Sequence, residues 1–390
     1  MKDRFKENPE AIQPEEWELA ITDLSRSGPG VAREPSGRVV FVPGTLGGDR
    51  VRVRAAKVEK RFIEGEVLEW LEKSPERVGP RCPVFGKCGG CQWQHVPYER
   101  QWRTKVSGAL HALDRVGMTE GASVPREEFP AREPWGYRNR LQLRGDGRNF
   151  GFFAAGTHQI VSIDRCDIAR PELNEALSAL RDEAFRRAKE SKVEVEVLGD
   201  GRVEVAWNSR HASRGFRQVH DAQNESLKAW ILERASGGGV LFDLYGGSGN
   251  LSLQLADRFH SVHCVDLGAG RLVAGSSSQI PKHFLFHSID VQKWCEKVLK
   301  KPGFLLDSSA GGLAILDPPR EGCGRALGAI HELLVRAGVK ELIAVGCDAD
   351  SWARDLARLR ERGWVLERLA FFDFFPQTIH FESVARLVRV

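Results

Sequence analysis

A glycine-rich turn between a predicted strand and a predicted helix limits the folds open to this chain more than any other feature. The segment Asp243-Leu-Tyr-Gly-Gly-Ser-Gly-Asn-Leu251 follows an apolar strand. Its residues Gly246, Gly247 and Gly249 lack Cβ atoms, so the backbone can approach a ligand closely. From about residue 213 onward, predicted strands alternate with helices. This alternation predicts a doubly wound parallel sheet with a binding crevice at the carboxyl ends of its strands.

The spacing of the turn separates two classes of ligand. A dinucleotide turn needs a glycine at the sixth position of G-x-G-x-x-G, where this chain has Ser252. The pattern D-x-x-x-G-x-G, followed by Asp266 at the end of the next strand, is the form of S-adenosylmethionine sites, and this carboxylate suits two ribose hydroxyls. Asp290 ends a third strand, in the order expected for an adenine contact. Asp317-Pro-Pro-Arg320 ends a fourth strand, and its arginine stands where enzymes that methylate exocyclic amines usually carry an aromatic residue. The sequence therefore argues against amine methylation.

Four cysteines form a second group with the potential to bind metal. Cys82, Cys88 and Cys91 have the spacing C-x5-C-x2-C with glycines between them, and Cys166 follows 75 residues later. Four thiols can complete a tetrahedral zinc site or an iron–sulfur cluster. Zinc ribbons usually pair two C-x2-C knuckles and this chain has one, so the layout favours a cluster; structural zinc and unligated buried thiols are the alternatives. The spacing differs from the C-x3-C-x2-C of radical-generating clusters, which favours a structural or RNA-positioning role.

The first part of the chain has a different pattern. Residues 15–72 form short alternating segments separated by Gly and Pro, which predicts a small antiparallel barrel of the OB type. Residues 50–62 are rich in Lys and Arg, and residues 132–148 interleave arginines with aromatic residues. Both stretches suit phosphate contact and base stacking, although a solvated strand face explains either one equally well. The net charge of +4, from 57 basic and 53 acidic residues, does not by itself indicate a nucleic-acid partner.

The predicted fold class is multidomain, because 390 residues exceed one ordinary core. An OB-like β-barrel is expected at residues 12–75, a central α+β domain at 76–212, and an α/β Rossmann-like domain at 213–390. The helix Tyr98–Arg115 of the central region is expected to pack on the third domain. The charged first residues and the absence of 18 consecutive apolar residues predict a cytoplasmic protein without a membrane partner.

Two residues near the end of the sequence are candidates for covalent and proton-transfer chemistry. Cys347 follows the apolar strand LIAVG and precedes a predicted helix, Ser351 to Arg362, whose dipole favours a thiolate. Asp348 and Asp350 are expected to oppose that ionisation by like-charge repulsion. Glu382, in the segment FPQTIHFE, could be a base with a tuned pKa. The other lone cysteines are interpreted as inert buried thiols: Cys264, Cys295 and Cys323.

In this order, the motifs C-x5-C-G-G-C-x2-Q-H, D-L-Y-x-G-x-G-N, D-P-P-R, a strand-end Cys and F-P-Q-T-x-H-x-E resemble those of the RNA uracil-5-methyltransferases. Residues 15–72 resemble the TRAM domain of the 23S ribosomal RNA branch. The transfer RNA branch lacks both the barrel and the cluster cysteines. The resemblance covers nearly the whole chain and implies a class I methyltransferase fold for its last domain, an RNA partner (most closely 23S rRNA) and a monomer.

The resemblance also implies a mechanism. Cys347 would add to carbon 6 of uracil, so that carbon 5 attacks the methyl group of S-adenosylmethionine, and Glu382 would then remove the carbon 5 proton. The target base would have to leave its stack. The cysteines at 82, 88, 91 and 166 match the ligands of a 4Fe–4S cluster. The positions that correspond to cofactor contacts are Gln218, Tyr245, Gly247, Gly249, Asn250, Asp266, Asp290 and Asp317.

The chain departs from the family pattern at three places. The nucleophile turn reads Gly346-Cys347-Asp348-Ala349 instead of Ser-Cys-Asn-Pro, Gly246 stands where a cysteine is common, and the stretch 267–283 lacks the usual asparagine. The altered turn leaves two alternatives open: an RNA-binding paralogue with weak or no activity that acts in ribosome assembly, and an enzyme that methylates transfer RNA.

Overall fold

The computed structural model describes residues 15–187, 189–209, 217–270, 280–301 and 311–389. The first boundary that the sequence predicts, at residue 12, and the later boundary between residues 212 and 213 lie outside the described residues. The described residues form three sheets of six, five and eight strands. No helix among them is both long and apolar enough to cross a membrane.

The first sheet curls into a small barrel. Its order is β1-β5-β6-β4-β3-β2, and β1 contacts β3 although three strands separate them in this order. Alternate residues of the strands, among them Leu19, Val40, Val53 and Ile63, point inward and form a separate apolar core. The strands are β1 (Glu16–Ala20), β2 (Asp23–Leu24), β3 (Gly30–Arg33), β4 (Val39–Val42), β5 (Arg50–Val58) and β6 (Phe62–Glu72).

The middle of the chain contributes to two different sheets. Helix α1 (Tyr98–Arg115) has the bounds that its apolar spacing predicts, and it packs against the last helix of the chain. The five-stranded sheet has the order β10-β9-β8-β11-β12 and is covered by helix α2. The remaining elements of this region are β7 (Arg126–Phe129), β8 (Arg140–Gly145), β9 (Phe150–Phe153), β10 (Ile160–Ser162), α2 (Pro171–Arg187), β11 (Ser191–Val197) and β12 (Val203–Trp207).

The eight-stranded sheet is the doubly wound sheet that the sequence predicts, with the order β15-β14-β13-β16-β17-β19-β18-β7. The five strands from β15 to β17 are parallel, whereas β19 runs antiparallel to both of its neighbours. Its elements are α3 (Asp221–Arg234), β13 (Gly238–Leu244), β14 (Phe259–Asp266), β15 (Phe284–Ser288), α4 (Val291–Leu299), β16 (Gly312–Leu316), α5 (Ala326–Arg336), β17 (Glu341–Gly346), α6 (Ala349–Arg360), β18 (Trp364–Phe372) and β19 (Glu382–Arg389).

Apolar residues cover both faces of this sheet. Val240, Phe242 and Leu244 of β13 face a core that α1, α4, α5 and α6 share, while Leu241 faces a second core with α3. Strand β7 adds to the edge of the sheet beside β18, so a segment of the predicted central domain completes the third sheet. The domain boundaries themselves stay a prediction.

One predicted helix is wrong. The sequence after Asn250 predicts an α-helix over NLSLQLADRF, but the structure has a turn and a 3₁₀ segment, Leu253–Arg258, in its place. Strand β14 begins at the next residue, Phe259. The turn therefore leads almost directly into the next strand.

Candidate active site and cysteine cavity

A cavity of about 880 Å³ opens at the carboxyl ends of the parallel strands. It lies where the strand order reverses at β13, which is the place where doubly wound sheets bind ligands. The residues that the sequence predicts and that the structure brings to this cavity are Gln218, Tyr245, Gly247, Asn250, Asp266, Asp290, Asp317, Cys347 and Glu382. Gly249, the remaining predicted residue, lies in the turn behind the lining.

The glycine turn is shaped by its backbone. Tyr245, Gly247 and Gly249 have φ values of +66°, +55° and +79°, which glycine adopts most easily. A Cβ at Gly246 would lie 2.5 Å from Oδ2 of Asp243, so this position accepts no side chain unless Asp243 moves. Burial raises the pKa of Asp243 to about 6, and Ser252 donates a hydrogen bond to its carboxylate. Position 246 is therefore a glycine because the buried carboxylate of Asp243 occupies the space that a side chain would need.

The acidic strand ends have local partners that fix their side chains. Asp266 accepts a 2.6 Å hydrogen bond from the backbone N–H of Gly268. Asp290 caps α4, accepting a 3.0 Å hydrogen bond from the backbone N–H of Lys293. These bonds orient both carboxylates at the rim of the cavity, where each still contributes to the lining. The two predicted contacts therefore lie on one side of the glycine turn.

Sheet register brings the proposed nucleophile and base together. Strands β17 and β19 are antiparallel, and their last pair is Gly346 with Ser383, so Cys347 and Glu382 both lie next to the end of this ladder. Glu382 is 4% exposed, and its Oε2 has no hydrogen-bond partner among the described residues. Cys347 sits between β17 and α6 and lines the same cavity. A thiol and an unsatisfied carboxyl group therefore face one ligand site.

Burial and negative charge control ionisation at this pair. Burial, followed by the neighbouring Glu382 and Asp317, raises the pKa of Cys347 to about 12, and Arg320 opposes this shift. The pKa of Glu382 is also raised well above its usual value by burial and by Asp317. Burial together with Asp243 and Asp266 raises the pKa of Asp317 to about 7. The cavity thus favours the protonated forms of Cys347, Glu382 and Asp317. Where these groups ionise, their negative charge would stabilise a bound cation.

The sequence-based account of the thiol needs one correction. Asp348 and Asp350 are expected to oppose ionisation of Cys347, but the largest causes of its raised pKa are burial, Glu382 and Asp317. Asp348 instead caps α6 by accepting a 2.9 Å hydrogen bond from the backbone N–H of Ser351. Asp350 is paired with Arg26 and Arg115. The helix begins at Ala349, two residues earlier than predicted, because Asp348 acts as its cap.

The segment between β18 and β19, residues 373–381, is held by residues that sequence reasoning missed; we call it the base loop. Lys105 of α1 forms a fully buried ion pair with Asp373, at 2.7 Å, and also donates a 3.0 Å hydrogen bond to the carbonyl oxygen of Phe375. Gln101 exchanges two hydrogen bonds with Gln377. A signal was present in the sequence, since Lys105 lies within the apolar stripe of the predicted helix.

The four predicted cysteines line a second cavity, of about 310 Å³. Cys88 reaches it from a loop that is bridged to the five-stranded sheet at Ala154, and Cys166 arrives after β10. Arg320 and His380 border the cavity as well, and a 3.3 Å contact joins their side chains. Within the described ranges, no three His, Cys, Asp or Glu side chains are arranged to hold one metal ion. The thiols therefore share a cavity without forming a compact single-ion site.

The basic strand of the barrel is paired with acidic residues. Its ion pairs are Arg50–Glu72 at 2.6 Å, Arg52–Glu69 at 2.9 Å, Arg54–Glu66 at 2.7 Å and Lys57–Glu59 at 2.8 Å. The positive charge along β5 is therefore largely balanced by its neighbours. This arrangement favours the solvated strand face over the alternative that β5 is a phosphate-binding surface.

Comparison with known proteins identifies the first domain and finds relatives of nearly the whole chain. Residues 14–68 match the family model of the TRAM domain. The chain is 32% identical to an uncharacterized RNA methyltransferase of Bdellovibrio bacteriovorus, over 95% of this chain and 94% of that protein. It is 31% identical to the 23S rRNA (uracil(1939)-C(5))-methyltransferase RlmD of Chromohalobacter salexigens, over 95% of this chain and 89% of that protein.

One solved structure shares the fold over almost the full length. The tRNA (uracil-54, C5)-methyltransferase of Pyrococcus abyssi, solved in complex with S-adenosyl-L-homocysteine, superposes with a TM-score of 0.69 and 21% identity. The match covers 95% of this chain and 99% of that one. The arrangement of barrel, middle sheet and doubly wound sheet is therefore shared with an enzyme named for a transfer RNA uracil, so the expectation that the transfer RNA branch lacks the barrel is wrong.

Proposed function

Because the chain belongs to the RNA uracil-C5-methyltransferase family, we propose that it transfers a methyl group from S-adenosylmethionine to carbon 5 of a uridine in RNA. The observation that carries the proposal is the meeting of Cys347 and Glu382 in the cavity that also gathers the predicted cofactor residues. A thiol that attacks carbon 6 and a base that acts at carbon 5 must approach neighbouring atoms of one ring. Two side chains that flank the last pair of one ladder and line one cavity meet this requirement.

The cysteine begins the reaction. The Cys347 sulfur forms a bond to carbon 6 of the flipped uracil, and the electron pair of the 5,6 double bond moves toward carbon 5 and the carbonyl oxygen at position 4. Carbon 5 then bonds to the methyl group while the bond from that methyl group to the sulfonium sulfur breaks; S-adenosylmethionine would supply the methyl group and leave as S-adenosylhomocysteine. Arg320, the cation that opposes the raised pKa of Cys347, favours the thiolate that this addition needs.

The glutamate ends the reaction. Glu382 takes the proton from carbon 5, the electron pair re-forms the double bond, and the bond from carbon 6 to the Cys347 sulfur breaks. Burial makes Glu382 a stronger base than a solvated carboxylate once it is ionised, because its pKa is raised. Its unpartnered Oε2 atom has no competing donor among the described residues.

The cofactor would occupy the part of the cavity beside the glycine turn. Asp266 would accept hydrogen bonds from the ribose hydroxyls and Asp290 would lie beside the adenine. Asp317, at the end of β16, lies between the cofactor side and the catalytic pair, where its negative charge would favour a sulfonium cation. Gln218, Tyr245, Gly247, Gly249 and Asn250 would complete the contacts.

The four thiols of the second cavity would hold a 4Fe–4S cluster. Each thiolate of such a cluster binds a different iron, so the ligands stand further apart than the ligands of one zinc ion. The four thiols line one cavity of about 310 Å³, which supports a common ligand for them. The cluster would supply structural cohesion between the cysteine loop at residues 82–91 and Cys166.

The preferred substrate is 23S rRNA. The relatives at about 31% identity include an enzyme named for a uracil of 23S rRNA. The chain would act as a cytoplasmic monomer, and both of these properties stay predictions.

The test is methyl transfer from labelled S-adenosylmethionine to unmodified 23S rRNA, with transfer RNA assayed in parallel. Wild-type protein should yield 5-methyluridine, and Cys347→Ala should lower the rate by about a thousandfold or more. The buried Cys295→Ala variant is the matched control and should retain activity. Transfer to transfer RNA alone would reassign the substrate. No transfer by folded, cofactor-binding protein would favour the RNA-binding paralogue.

A further inference from the structure

The turn that joins β2 to β3 of the barrel, residues 25–29, reaches into the junction of the catalytic elements; we call it the barrel turn. Its shape is fixed by its own hydrogen bonds: the backbone N–H of Ser25 donates to Pro29 at 2.8 Å, and that of Gly28 donates to Ser25 at 3.0 Å. Gly28 has a φ of +118°, which glycine adopts readily. A turn of fixed shape can hold the elements that it contacts in fixed positions relative to each other.

The first contact of the barrel turn is with the nucleophile helix. Arg26 forms an ion pair with Asp350, the second residue of α6, and Arg115 of α1 bonds to the other carboxylate oxygen at 2.9 Å. The Arg26 side chain passes over Gly108, where an added Cβ would lie 3.0 Å from the Cβ of Arg26. Cys347 lies three residues before Asp350. The arginine therefore holds the end of α6 that carries the thiol.

The N-terminus of helix α6 is held by the Asp348 cap and by the contact of Asp350 with Arg26. Ala349 occupies the first helical position, where a proline would fix the backbone, so the turn after Cys347 has no rigid residue of its own. Trp352 packs beneath Gly346, where a Cβ would lie 2.7 Å from the tryptophan Cβ. The helix is thus fitted closely below the turn and tied at its end by Arg26.

The second contact of the barrel turn is with the base loop. Trp93 donates a 3.0 Å hydrogen bond from its indole Nε1 to the carbonyl oxygen of Gly28. Gly28 also faces Ile379 of the base loop, since a Cβ there would lie 3.4 Å from the isoleucine Cγ2. Leu24, Leu46, Trp93 and Val96 form a small apolar cluster against which Ile379 packs. Glu382 follows Ile379 by three residues.

We propose that the barrel turn is a positioning element of the active site, and that Arg26 is its positioning residue. It contacts α6 and the base loop, each three residues from a member of the catalytic pair, and so sets the position of Cys347 relative to Glu382. This inference rests on the proposed function, because the pair must act on one uracil ring. Small misplacements of reacting groups lower catalytic rates strongly, whereas substrate binding depends on other contacts.

The experiment compares Arg26→Ala with Arg38→Ala, a matched control. Arg38 is similarly exposed and also ion-paired, but its partners Glu34 and Glu15 belong to the barrel or lie just before its first strand. Single-turnover methylation of saturating 23S rRNA should slow about tenfold in Arg26→Ala. RNA affinity should stay within twofold of wild type, and Arg38→Ala should match wild type in both measurements.

A second readout measures thiol addition and methyl transfer without the proton removal by Glu382. RNA with 5-fluorouridine at the target position stalls after addition and methyl transfer, because no proton remains at carbon 5 for Glu382 to remove. The covalent complex should form about tenfold more slowly in Arg26→Ala. Asp350→Ala, alone and combined with Arg26→Ala, completes a double-mutant cycle in which the effects should not add.

Three results would overturn the inference. Unchanged rates in Arg26→Ala would remove its role, and weaker RNA binding at an unchanged saturated rate would make Arg26 an RNA contact instead. A rate loss accompanied by an equal loss of folded protein, not recovered in Arg26→Lys, would make the contact merely structural. Failure of the proposed function is distinguishable, because it would abolish transfer and covalent complexes in wild type as well.

Discussion

The ionisation of Cys347 depends on its neighbour as well as on its burial. Glu382 contributes the largest electrostatic part of the shift that raises the thiol pKa to about 12, and Asp317 adds to it. A carboxylate disfavours a thiolate beside it, so ionisation of either member of the pair opposes ionisation of the other. Ionisation of either member is expected to become easier when a cation enters the site.

This relation predicts an unusual property for Glu382→Gln. The variant should lose methyl transfer, yet its Cys347 thiol should become more reactive, because a neutral amide no longer opposes the thiolate. Alkylation by iodoacetamide, followed across alkaline pH, should show a midpoint that moves to lower pH than in wild type. Cys347→Ala identifies the signal from this thiol. A midpoint that stays in place or rises would show that Glu382 does not control the thiol.

Among the elements, the base loop is fixed mainly by α1. The ion pair of Lys105 and Asp373 is wholly buried, and burial lowers the pKa of Lys105 even though its partner opposes the shift. Tyr98 also donates a 2.9 Å hydrogen bond to Asp373. A buried pair of this kind contributes to geometry more than to stability, but removing one partner strands the other charge.

Lys105→Met should therefore lower the free energy of unfolding by about 3–5 kcal/mol, because Asp373 would remain buried without its cation. Combining it with Asp373→Asn should restore part of the loss. Arg103→Met, on the exposed face of the same helix, should change stability by less than about 0.5 kcal/mol. Urea unfolding measures all three. A double variant no more stable than Lys105→Met would show that the stranded carboxylate is not the cause.

The elements also show how far the sequence leads. The glycine turn, the acidic strand ends and Cys347 were predictable as one site, because a parallel sheet gathers the carboxyl ends of its strands. The place of Glu382 beside Cys347 was not, since it depends on the last strand inserting antiparallel between β17 and β18. Periodicity predicted α1 correctly but failed after Asn250, where a turn and a 3₁₀ segment lead into β14 in place of the predicted α-helix.

At the scale of the whole molecule, the barrel is part of the catalytic framework as well as an appended domain. Arg26 and Asp350 are 324 residues apart in sequence, and contacts of this kind leave no periodic signal. The composition of β5 suggested an RNA-binding strand, but charge pairing depends on which strands become neighbours, and β1 and β6 supply the glutamates. The composition of the strands could indicate the type of domain, but not which face of the barrel would contact RNA.

The cysteine cavity is a second place where parts of the chain that are distant in sequence contact each other. Backbone N–H groups of Gln92 and Trp93, beside Cys91, donate to the carbonyl oxygen of Gln377 at 3.1 and 3.0 Å, so the cysteine loop contacts the base loop directly. A bound cluster would hold the base loop through the cysteine loop on one side, while the barrel turn holds the base loop on the other side. Loss of the cluster should then loosen the base loop.

Protein purified without oxygen should accordingly contain about four irons per chain and absorb broadly near 400 nm. Cys91→Ser should lose both signals, and its base loop should become more accessible to proteolysis or amide hydrogen exchange at residues 373–381. Cys295→Ala, a buried cysteine outside the cavity, should keep the iron. One zinc per chain without visible absorbance would contradict the cluster, while leaving the role of the four thiols as a joint between the loops intact.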